Sequence, residues 1–494
     1  PLPTVRIREL SRDETIIMLF ASPLFLFLFL PIVLTLNYLL PVRFRNAVLL
    51  VASLFFYAWG EPLYVMLMLA SISANYFFGL AIDRHRHSES LKLWLVVGLG
   101  FNLLLLVGFK YANFLIDNLN VLLQMVSIPP ILIEAVHLPL GISFFTFQAM
   151  SYIADVYRGT AVVQTRFVNI ALYISLFPQL IAGPIVRYHD VAKQIVSRKT
   201  DSRLFVSGIR RFVMGLAKKL LIANSLGSVA DTVFAMPGGE LGFALAWLGI
   251  LCYALQIYFD FSGYSDMAIG LGRMFGFRFL ENFNYPYIAQ SLQDFWRRWH
   301  ISLSGWFRDY LYISLGGNRI NPFRTYLNLF IVFFLCGLWH GASWNFVIWG
   351  LVHGGFLIIE RAGLGRLLRR TSRPFRHLYT LVVVCVAWVF FRAEELSYAW
   401  EYLGNMFAVS TGNPIDGKFA LLAFQPDVIL AFIGGIFLAT PVYPWLSRRV
   451  ILPVQEISVG LHVLSQVVLI FGLTALIFLA VASTTYNPFI YFRF

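Results

Sequence analysis

Two histidines lie in surroundings apolar enough to exclude them unless they pair or react. His300 is part of the run DFWRRWHISLSGWFRDY, and His340 is part of LCGLWHGASWNFVIWG. An imidazole without a polar partner in hydrocarbon costs about 2–7 kcal/mol by transfer measures. Its proton equilibrium also lies close to neutral pH, which suits histidine to proton transfer. His300 and His340 are therefore the first candidates for the working groups of an enzyme.

Charged and aromatic residues alternate around His300. Among them, Arg297, Arg298, Trp299 and Arg308 suit an entrance for an anionic donor such as coenzyme A, whose phosphates accept charge-assisted hydrogen bonds from guanidinium groups. An interfacial helix with snorkelling arginines and a tryptophan belt explains the same residues about equally well. Both interpretations stay open at the level of residue types.

Other polar residues at membrane depth favour structural roles. Asp260 and Asp266 follow a long apolar run, where carboxylates either function or pair with cations to hold helices together, and we favour pairing. The same holds for Gln148 and Asp155. Around Gln179, the Gly and Pro residues of FPQLIAGPIVRY predict a broken helix beside a cavity.

Several kinds of site are not indicated. His353 is predicted to be a hydrogen-bonded packing residue, and Cys252, Cys336 and Cys385 to be small core residues without disulfides. No histidine shows the helical pairing with glutamate typical of zinc sites, so no metal is predicted. A phosphate-binding glycine loop, a GxSxG elbow and nucleic-acid motifs are also missing from the sequence, and no nucleic-acid partner is expected.

The composition predicts the elements that must position these residues. Hydrophobic residues make up 59% of the 494 residues and charged residues only 13%, which indicates a polytopic membrane protein. The apolar runs are continuous, so we expect an all-α protein rather than a barrel. We predict about eleven to thirteen membrane helices, with re-entrant and interfacial helices around a tunnel. The runs are 23–40, 62–82, 93–109, 138–153, 168–186, 241–259, 344–359, 378–391, 428–446 and 459–482, with shorter ones at 47–59, 212–226 and 327–338.

The basic loops predict the orientation. Lys and Arg cluster in 84–92, 187–211 and 361–376, which places these loops in the cytoplasm, whereas 117–136 and the acidic 393–427 face the other side. Counting crossings then puts the C-terminus outside and His340 within the membrane, near a deep turn. His300 is expected at the cytoplasmic entrance of a protein-lined passage. Residues 1–17 read as an upstream extension or added leader, followed by one domain over 18–494.

The strings FPQLIAGPIVRY, YFDFSGYSDMAIGLGRMFGF, RWHISLSGWFRDY and GLWHGASWNFVIWGLVHG resemble the membrane-bound O-acyltransferase family. The similarity is strongest to its bacterial polysaccharide branch, of which the alginate O-acetyltransferases are typical. It extends from about Met18 to the C-terminus. The resemblance implies a bundle of that family's type in the bacterial inner membrane.

The resemblance also implies a reaction. An acetyl or other short acyl group would come from a cytoplasmic thioester, acetyl-CoA being the expected donor, and would cross the membrane to O-acetylate an exported polysaccharide such as alginate. His340 matches the family's histidine in WHGxxW and is implied to be the general base. His300 matches RWHxSLS and is implied to position the substrate or stabilise the oxyanion. Tyr491, in the predicted periplasmic tail, is a candidate acyl relay, although an interfacial anchor explains it as well.

The resemblance further implies partners, namely periplasmic acetyltransferase or acyl-carrier proteins of an exopolysaccharide system, together with membrane lipids. No permanently bound cofactor is expected. Two alternatives stay open on the residues. One is a transporter that moves an acyl carrier or glycan without chemistry, although the repeated halves typical of transporters are missing. The other is an acyltransferase that acts on peptidoglycan, cellulose, teichoic acid or a lipid.

Overall fold

The computed structural model describes residues 18–181, 183–408, 422, 425–446, 449 and 459–483, and their regular secondary structure is entirely helical. The leader 1–17 and Tyr491 lie outside the described residues. The helices of the first half are α1 Leu30–Leu39, α2 Arg45–Gly60, α3 Tyr64–Arg84, α4 Leu91–Leu106, α5 Ala112–Met125, α6 Ile142–Arg158, α7 Phe167–Ser175, α8 Phe177–Leu180, α9 Tyr188–Val196, α10 Ser202–Ala217 and α11 Asn224–Phe234. Those of the second half are α12 Phe243–Met274, α13 Leu292–Arg298, α14 Ile301–Trp306, α15 Pro322–His340, α16 Trp344–Ile359, α17 Gly365–Arg370, α18 Arg373–Arg392, α19 Leu396–Phe407, α20 Pro426–Leu438, α21 Val442–Leu446 and α22 Val459–Ser483.

Membrane-spanning length is common among these helices. Within the described residues, nine helical segments are long and apolar enough to cross a membrane, and two shorter apolar helices, Phe25–Leu39 and Pro426–Leu438, accompany them. The nine are Val42–Gly60, Tyr64–Arg84, Leu91–Met125, Ser202–Phe234, Phe243–Met274, Pro322–His340, Trp344–Arg370, Arg373–Arg392 and Val463–Ala482. The predicted all-α polytopic membrane protein is confirmed.

Helix α12 is the centre of the bundle. It is 32 residues long and buried on nearly every side, which explains why its sequence is apolar around the whole circumference rather than along one stripe. The apolar run 241–259 predicts only its first half. The helix continues through Asp260 and Asp266 because both carboxylates find cations: Asp260 pairs with Lys219 at 2.5 Å, and Asp266 pairs with Lys218 at 2.7 Å. The predicted pairing role of these two aspartates is confirmed.

Helix α7 ends early, as the Gly and Pro residues predict. The run 168–186 does not form one crossing helix, because α7 stops at Ser175 and the four-residue α8 follows a break at Leu176. Beyond α8 the chain becomes extended, and the backbone N–H of Ile185 donates to the Ser302 hydroxyl at 2.9 Å. The broken helix therefore carries a backbone donor to the residues that follow His300.

Helices α15 and α16 form a tight hairpin. The Asn321 side chain caps α15 by accepting from the backbone N–H of Arg324, so the helix begins before the apolar run 327–338 and reaches 19 residues. Glycines allow the two helices to touch, since a Cβ added to Gly337 would lie 2.4 Å from the Phe346 carbonyl oxygen. The helix ends on His340, which fixes that side chain at the turn of the hairpin.

Candidate active site

His340 is the last residue of α15 and lies in an aromatic enclosure. Its side chain is buried, and its ring centroid lies 4.9 Å from that of Trp339, 4.8 Å from that of Trp349 and 5.2 Å from that of Phe391. These rings come from α15, α16 and α18, so three helices contribute to one wall. Bulky aromatic walls keep the histidine away from bulk water.

His300 connects α13 and α14 in a left-handed conformation. Its φ is +44° and ψ is +54°, a region that non-glycine residues seldom occupy and that costs on the order of 1–3 kcal/mol. The surrounding structure holds it there: the backbone N–H of Ile301 donates to the Asn282 carbonyl at 2.9 Å. Such strain is typical of residues whose side chain must point in one required direction.

Asn282 determines which nitrogen of His300 carries the proton. The amide atom facing His300 also receives the backbone N–H of Ser302 at 3.2 Å, and a backbone N–H can only donate, so this atom is the Asn282 oxygen Oδ1. His300 Nδ1 lies 3.1 Å from the same oxygen and must therefore be its protonated nitrogen. In the neutral ring Nε2 then carries a lone pair and accepts hydrogen bonds.

The two histidines belong to one site. Their ring centroids are 6.5 Å apart, and both side chains are buried. The sequence predicted one histidine at the entrance of a passage and the other near its middle, but the structure brings both into the same enclosure. His353 lies nearby in α16, where its Nδ1 accepts a hydrogen bond from the indole N–H of Trp296 at 3.3 Å, as expected for a packing residue.

A large arginine-rich cavity leads toward the histidines. It has a volume of about 1050 Å³ and is lined by seven arginines but only one acidic residue, Glu360. The arginines are Arg187, Arg297, Arg308, Arg361, Arg366, Arg369 and Arg376. Its inner wall includes Cys336, one helical turn before His340, and Ile301 and Ser302, directly after His300. The cavity thus extends from a basic face of the protein to residues close to both histidines in the chain.

Comparison with known proteins assigns this arrangement to a family. Residues 135–398, which include both histidines and the whole arginine-rich cavity, match the model of the membrane-bound O-acyltransferase family. The chain belongs to the membrane-bound O-acyltransferase family. It is therefore an O-acyltransferase and a multi-pass membrane protein, as its sequence predicts.

Three relatives illustrate how far the similarity extends. A probable alginate O-acetylase of Azotobacter vinelandii is 48% identical over 84% of this chain and 84% of its own length. A probable alginate O-acetylase of Pseudomonas putida is 43% identical over 97% of this chain and 100% of its own length. A peptidoglycan O-acetyltransferase of Helicobacter pylori is 39% identical over 79% of this chain and 80% of its own length.

The four residues predicted for the donor entrance of this acyltransferase lie in two different environments. Arg297 and Arg308 line the arginine-rich cavity, whereas Arg298 and Trp299 do not. Arg298 pairs with Asp294 at 2.9 Å, one turn earlier in α13. Trp299 is buried and packs with its ring centroid 5.0 Å from that of Trp388. Arg298 points away from the cavity because consecutive residues of a helix such as α13 point in different directions, and Trp299 directly follows the end of that helix.

A charged network anchors the rim of the cavity. Arg187 pairs with both Asp190 and Asp309, which ties α9 to the turn that follows α14. His189 Nδ1 lies 2.9 Å from Asp155 Oδ2, and this hydrogen bond raises the pKa of His189 above its ordinary value. Asp155 is thus a structural acceptor, in agreement with the role favoured from sequence.

Sequence reasoning missed three contributors to the site. Asn282, between α12 and α13, and Ser302, in α14, are common polar residues, and nothing in their local pattern signals a role. Lys110 did carry a signal, because it is a lone cation inside the apolar string LLLLVGFKYANF. Within the described residues, no group of three or more His, Cys, Asp or Glu side chains is placed to hold a metal ion.

Proposed function

We propose that this O-acyltransferase takes an acetyl group from acetyl-CoA in the cytoplasm and passes it across the bacterial inner membrane for O-acetylation of an exported polysaccharide. The observation that carries the proposal is the arginine-rich cavity, which extends from a basic face to the residues flanking His300 and His340. The two probable alginate O-acetylases among the relatives support alginate as the polymer.

The wall of the cavity fits an acyl thioester with an anionic handle. Arg297 and Arg308 are exposed, and together with the other five arginines they provide charge-assisted donors for phosphate oxygens. Farther in, Phe333 and Cys336 provide an apolar wall toward the histidines. The change from charged to apolar lining supports a donor whose phosphates stay at the basic face while its thioester reaches toward the imidazoles.

In the proposed reaction His340 is the general base. It takes the proton of the acceptor hydroxyl while the hydroxyl oxygen attacks the thioester carbonyl. The carbon–sulfur bond then breaks, and the departing thiolate receives the proton from His340. The tautomer of His300 bears on its role. With Nδ1–H committed to Asn282, neutral His300 offers an acceptor at Nε2, which supports positioning of a substrate group rather than donation to an oxyanion.

On the far side we propose that the acyl group passes to periplasmic acetyltransferase or acyl-carrier proteins. Tyr491, in the tail that we assign to the periplasm, is proposed to accept the acyl group transiently as an ester. A Tyr491→Phe protein that supports full polymer acetylation would remove this relay from the scheme and leave the His340 chemistry intact.

The test of the proposed function is the O-acetyl content of exported polysaccharide in cells that carry wild type, His340→Ala or His85→Ala. His85 is a matched control because its Nδ1 bonds to the Ala81 carbonyl at the end of α3, away from the described site. Immunoblots of membrane fractions normalise protein abundance. We expect loss of acetyl groups only with His340→Ala, whereas unchanged acetylation at equal abundance would refute the mechanism.

Peptidoglycan is a second candidate acceptor, favoured by the similarity to the Helicobacter pylori peptidoglycan O-acetyltransferase. The same strains separate the two polymers. Acetyl groups that depend on His340 would be found on exported polysaccharide in one case and on the muramic acid residues of the cell wall in the other.

A further inference from the structure

Lys110 is a buried amine held by uncharged groups. Its side chain is 7% exposed, and its Nζ donates to the Ser143 hydroxyl at 3.0 Å and to the backbone carbonyl of Trp339. It lies in a π-helical turn, Val107–Tyr111, within the apolar segment Leu91–Met125. An ionisable residue at this depth is costly and is a functional candidate by default.

The carbonyl that Lys110 binds belongs to the helix end that carries His340. The last carbonyls of an α-helix have no intrahelical donor, and burial makes this lack expensive. Lys110 supplies a donor to the carbonyl of Trp339, and the Tyr111 hydroxyl donates to the carbonyl of Leu338 at 2.9 Å. Two consecutive residues of the π turn thus cap two consecutive carbonyls directly before His340.

The amine of Lys110 also lies beside the negative end of the helix dipole of α15, where the protonated form of a side chain is favoured over the neutral form. Lys110 Nζ lies 5.8 Å from the centre of the Trp339 ring, which packs against His340. Lys110 is therefore linked to His340 through both the backbone and the aromatic wall.

Lys110 also faces a second cavity. This cavity has a volume of about 60 Å³ and is lined by Lys110, Ser143, Trp339 and the 138–142 segment, which follows the loop that lacks Lys and Arg. It is separate from the arginine-rich cavity, whose lining does not include Lys110. The lysine thus lines a different cavity from the arginines.

We propose that Lys110 is a positioning residue for acyl transfer, acting through the Trp339 carbonyl to hold His340 in its reactive orientation. This inference rests on the proposed function of His340. Lys110 contributes the amine half of the cap and Tyr111 the hydroxyl half. Only the lysine reaches the residue that immediately precedes the histidine, so its loss displaces the imidazole, whereas loss of Tyr111 removes a cap one residue farther away.

The experiment compares Lys110→Met, Lys110→Arg and Tyr111→Phe in inverted membrane vesicles supplied with radiolabelled acetyl-CoA. Wild type and His340→Ala are run in parallel, and rates are normalised to folded protein by detergent-solubilised size-exclusion chromatography. We expect Lys110→Met to lower kcat by about 10–100-fold at unchanged KM for acetyl-CoA, as for a displaced catalytic group. Lys110→Arg, which keeps charge and donors, should recover part of kcat. Tyr111→Phe should lower thermal stability and retain most of kcat.

The outcomes distinguish a failure of the proposed function of His340 from a failure of the proposed role of Lys110. Equal rates for wild type and His340→Ala would overturn the proposed function itself. With wild type active and His340→Ala inactive, a Lys110→Met protein with wild-type kcat would overturn the role of Lys110. An equal loss of kcat in Lys110→Met and Tyr111→Phe, without recovery in Lys110→Arg, would reduce Lys110 to a structural cap.

Discussion

At the scale of single residues, the chemistry of His300 depends on an amide 18 residues earlier in the chain. Asn282 Oδ1 receives the ring Nδ1–H of His300, the backbone N–H of Ser302 and the Ser302 hydroxyl at 2.8 Å, while its Nδ2 donates to Ser265 Oγ at 3.0 Å. One buried side chain therefore fixes the tautomer of the histidine and the start of α14 together.

Substituting Asn282 should disable the enzyme more than it unfolds it. Asn282→Ala leaves buried donors of His300 and Ser302 without an acceptor, at about 1–3 kcal/mol for each such group. We expect acetyl transfer per folded protein to fall about 10–100-fold because the imidazole loses its fixed orientation. Ser265→Ala is the matched control, since it removes only the bond to Nδ2 and should keep most of the activity. Wild-type rates in Asn282→Ala would contradict this role.

The residues differ in how far the sequence reveals them. His300 and His340 are recognisable because an imidazole inside an apolar run is unusual wherever it occurs. Asn282 and Ser302 are not, because their importance arises only when the fold brings a loop amide under a histidine. Arg298 and Trp299 show another limit of residue types: both suit a donor entrance, yet Arg298 pairs with Asp294 within α13 and Trp299, directly after that helix, is buried.

At the scale of elements, close helix packing depends on glycines in the centre of the bundle. A Cβ added to Gly215 in α10 would lie 2.4 Å from the carbonyl oxygen of Gly263 in α12. One added to Gly208 would lie 2.6 Å from that of Gly270, so the pairs repeat with the same seven-residue spacing on both helices. Small residues at a helix contact let membrane helices approach closely. This contact holds α12 against α10. The lysines that pair with the aspartates of α12, Lys218 and Lys219, directly follow α10.

Adding one methyl group at this contact should destabilise the protein. Gly215→Ala forces α10 and α12 apart, and overpacking of this kind costs about 1–3 kcal/mol. The control is Gly100→Ala in α4, where nothing lies within 4 Å of the added Cβ. There alanine should be neutral or stabilising by up to about 1 kcal/mol, the helix-propensity difference. Thermal unfolding in detergent measures both. Equal melting temperatures for the two variants would contradict the packing argument.

Hydropathy alone does not predict where the helices of this protein begin and end. The run 168–186 is largely apolar, yet α7 ends at Ser175 and the extended chain beyond α8 brings the backbone N–H of Ile185 to the Ser302 hydroxyl. The Gly and Pro residues indicated the break, but not its purpose. Helix α12, by contrast, is longer than its apolar run predicts. Its carboxylates Asp260 and Asp266 pair with Lys219 and Lys218, so the helix continues past them.

At the scale of the whole molecule, the proposed mechanism requires a fixed orientation, because the proposed cytoplasmic donor could enter only by a cavity that opens to the cytoplasm. The arginine-rich cavity shares Arg361, Arg366, Arg369 and Arg376 with the basic loop that the positive-inside rule assigns to that side. Helix α18 begins directly after this loop and is 20 residues long, which is enough to cross the hydrocarbon core once. We therefore expect its two ends to lie on opposite sides of the membrane.

Two cysteine substitutions at the ends of α18 test this orientation directly. Ser372 and Ser397 are exposed and flank the helix, and Ser372 makes no capping bond, so Ser372→Cys and Ser397→Cys should both fold. The native cysteines Cys252, Cys336 and Cys385 are buried and provide a low background. With a membrane-impermeant maleimide, we expect labelling of Ser397→Cys in spheroplasts and of Ser372→Cys only in inverted vesicles. The reverse pattern would open the arginine-rich cavity to the outside, where acetyl-CoA is not supplied, and would exclude a cytoplasmic thioester as the donor.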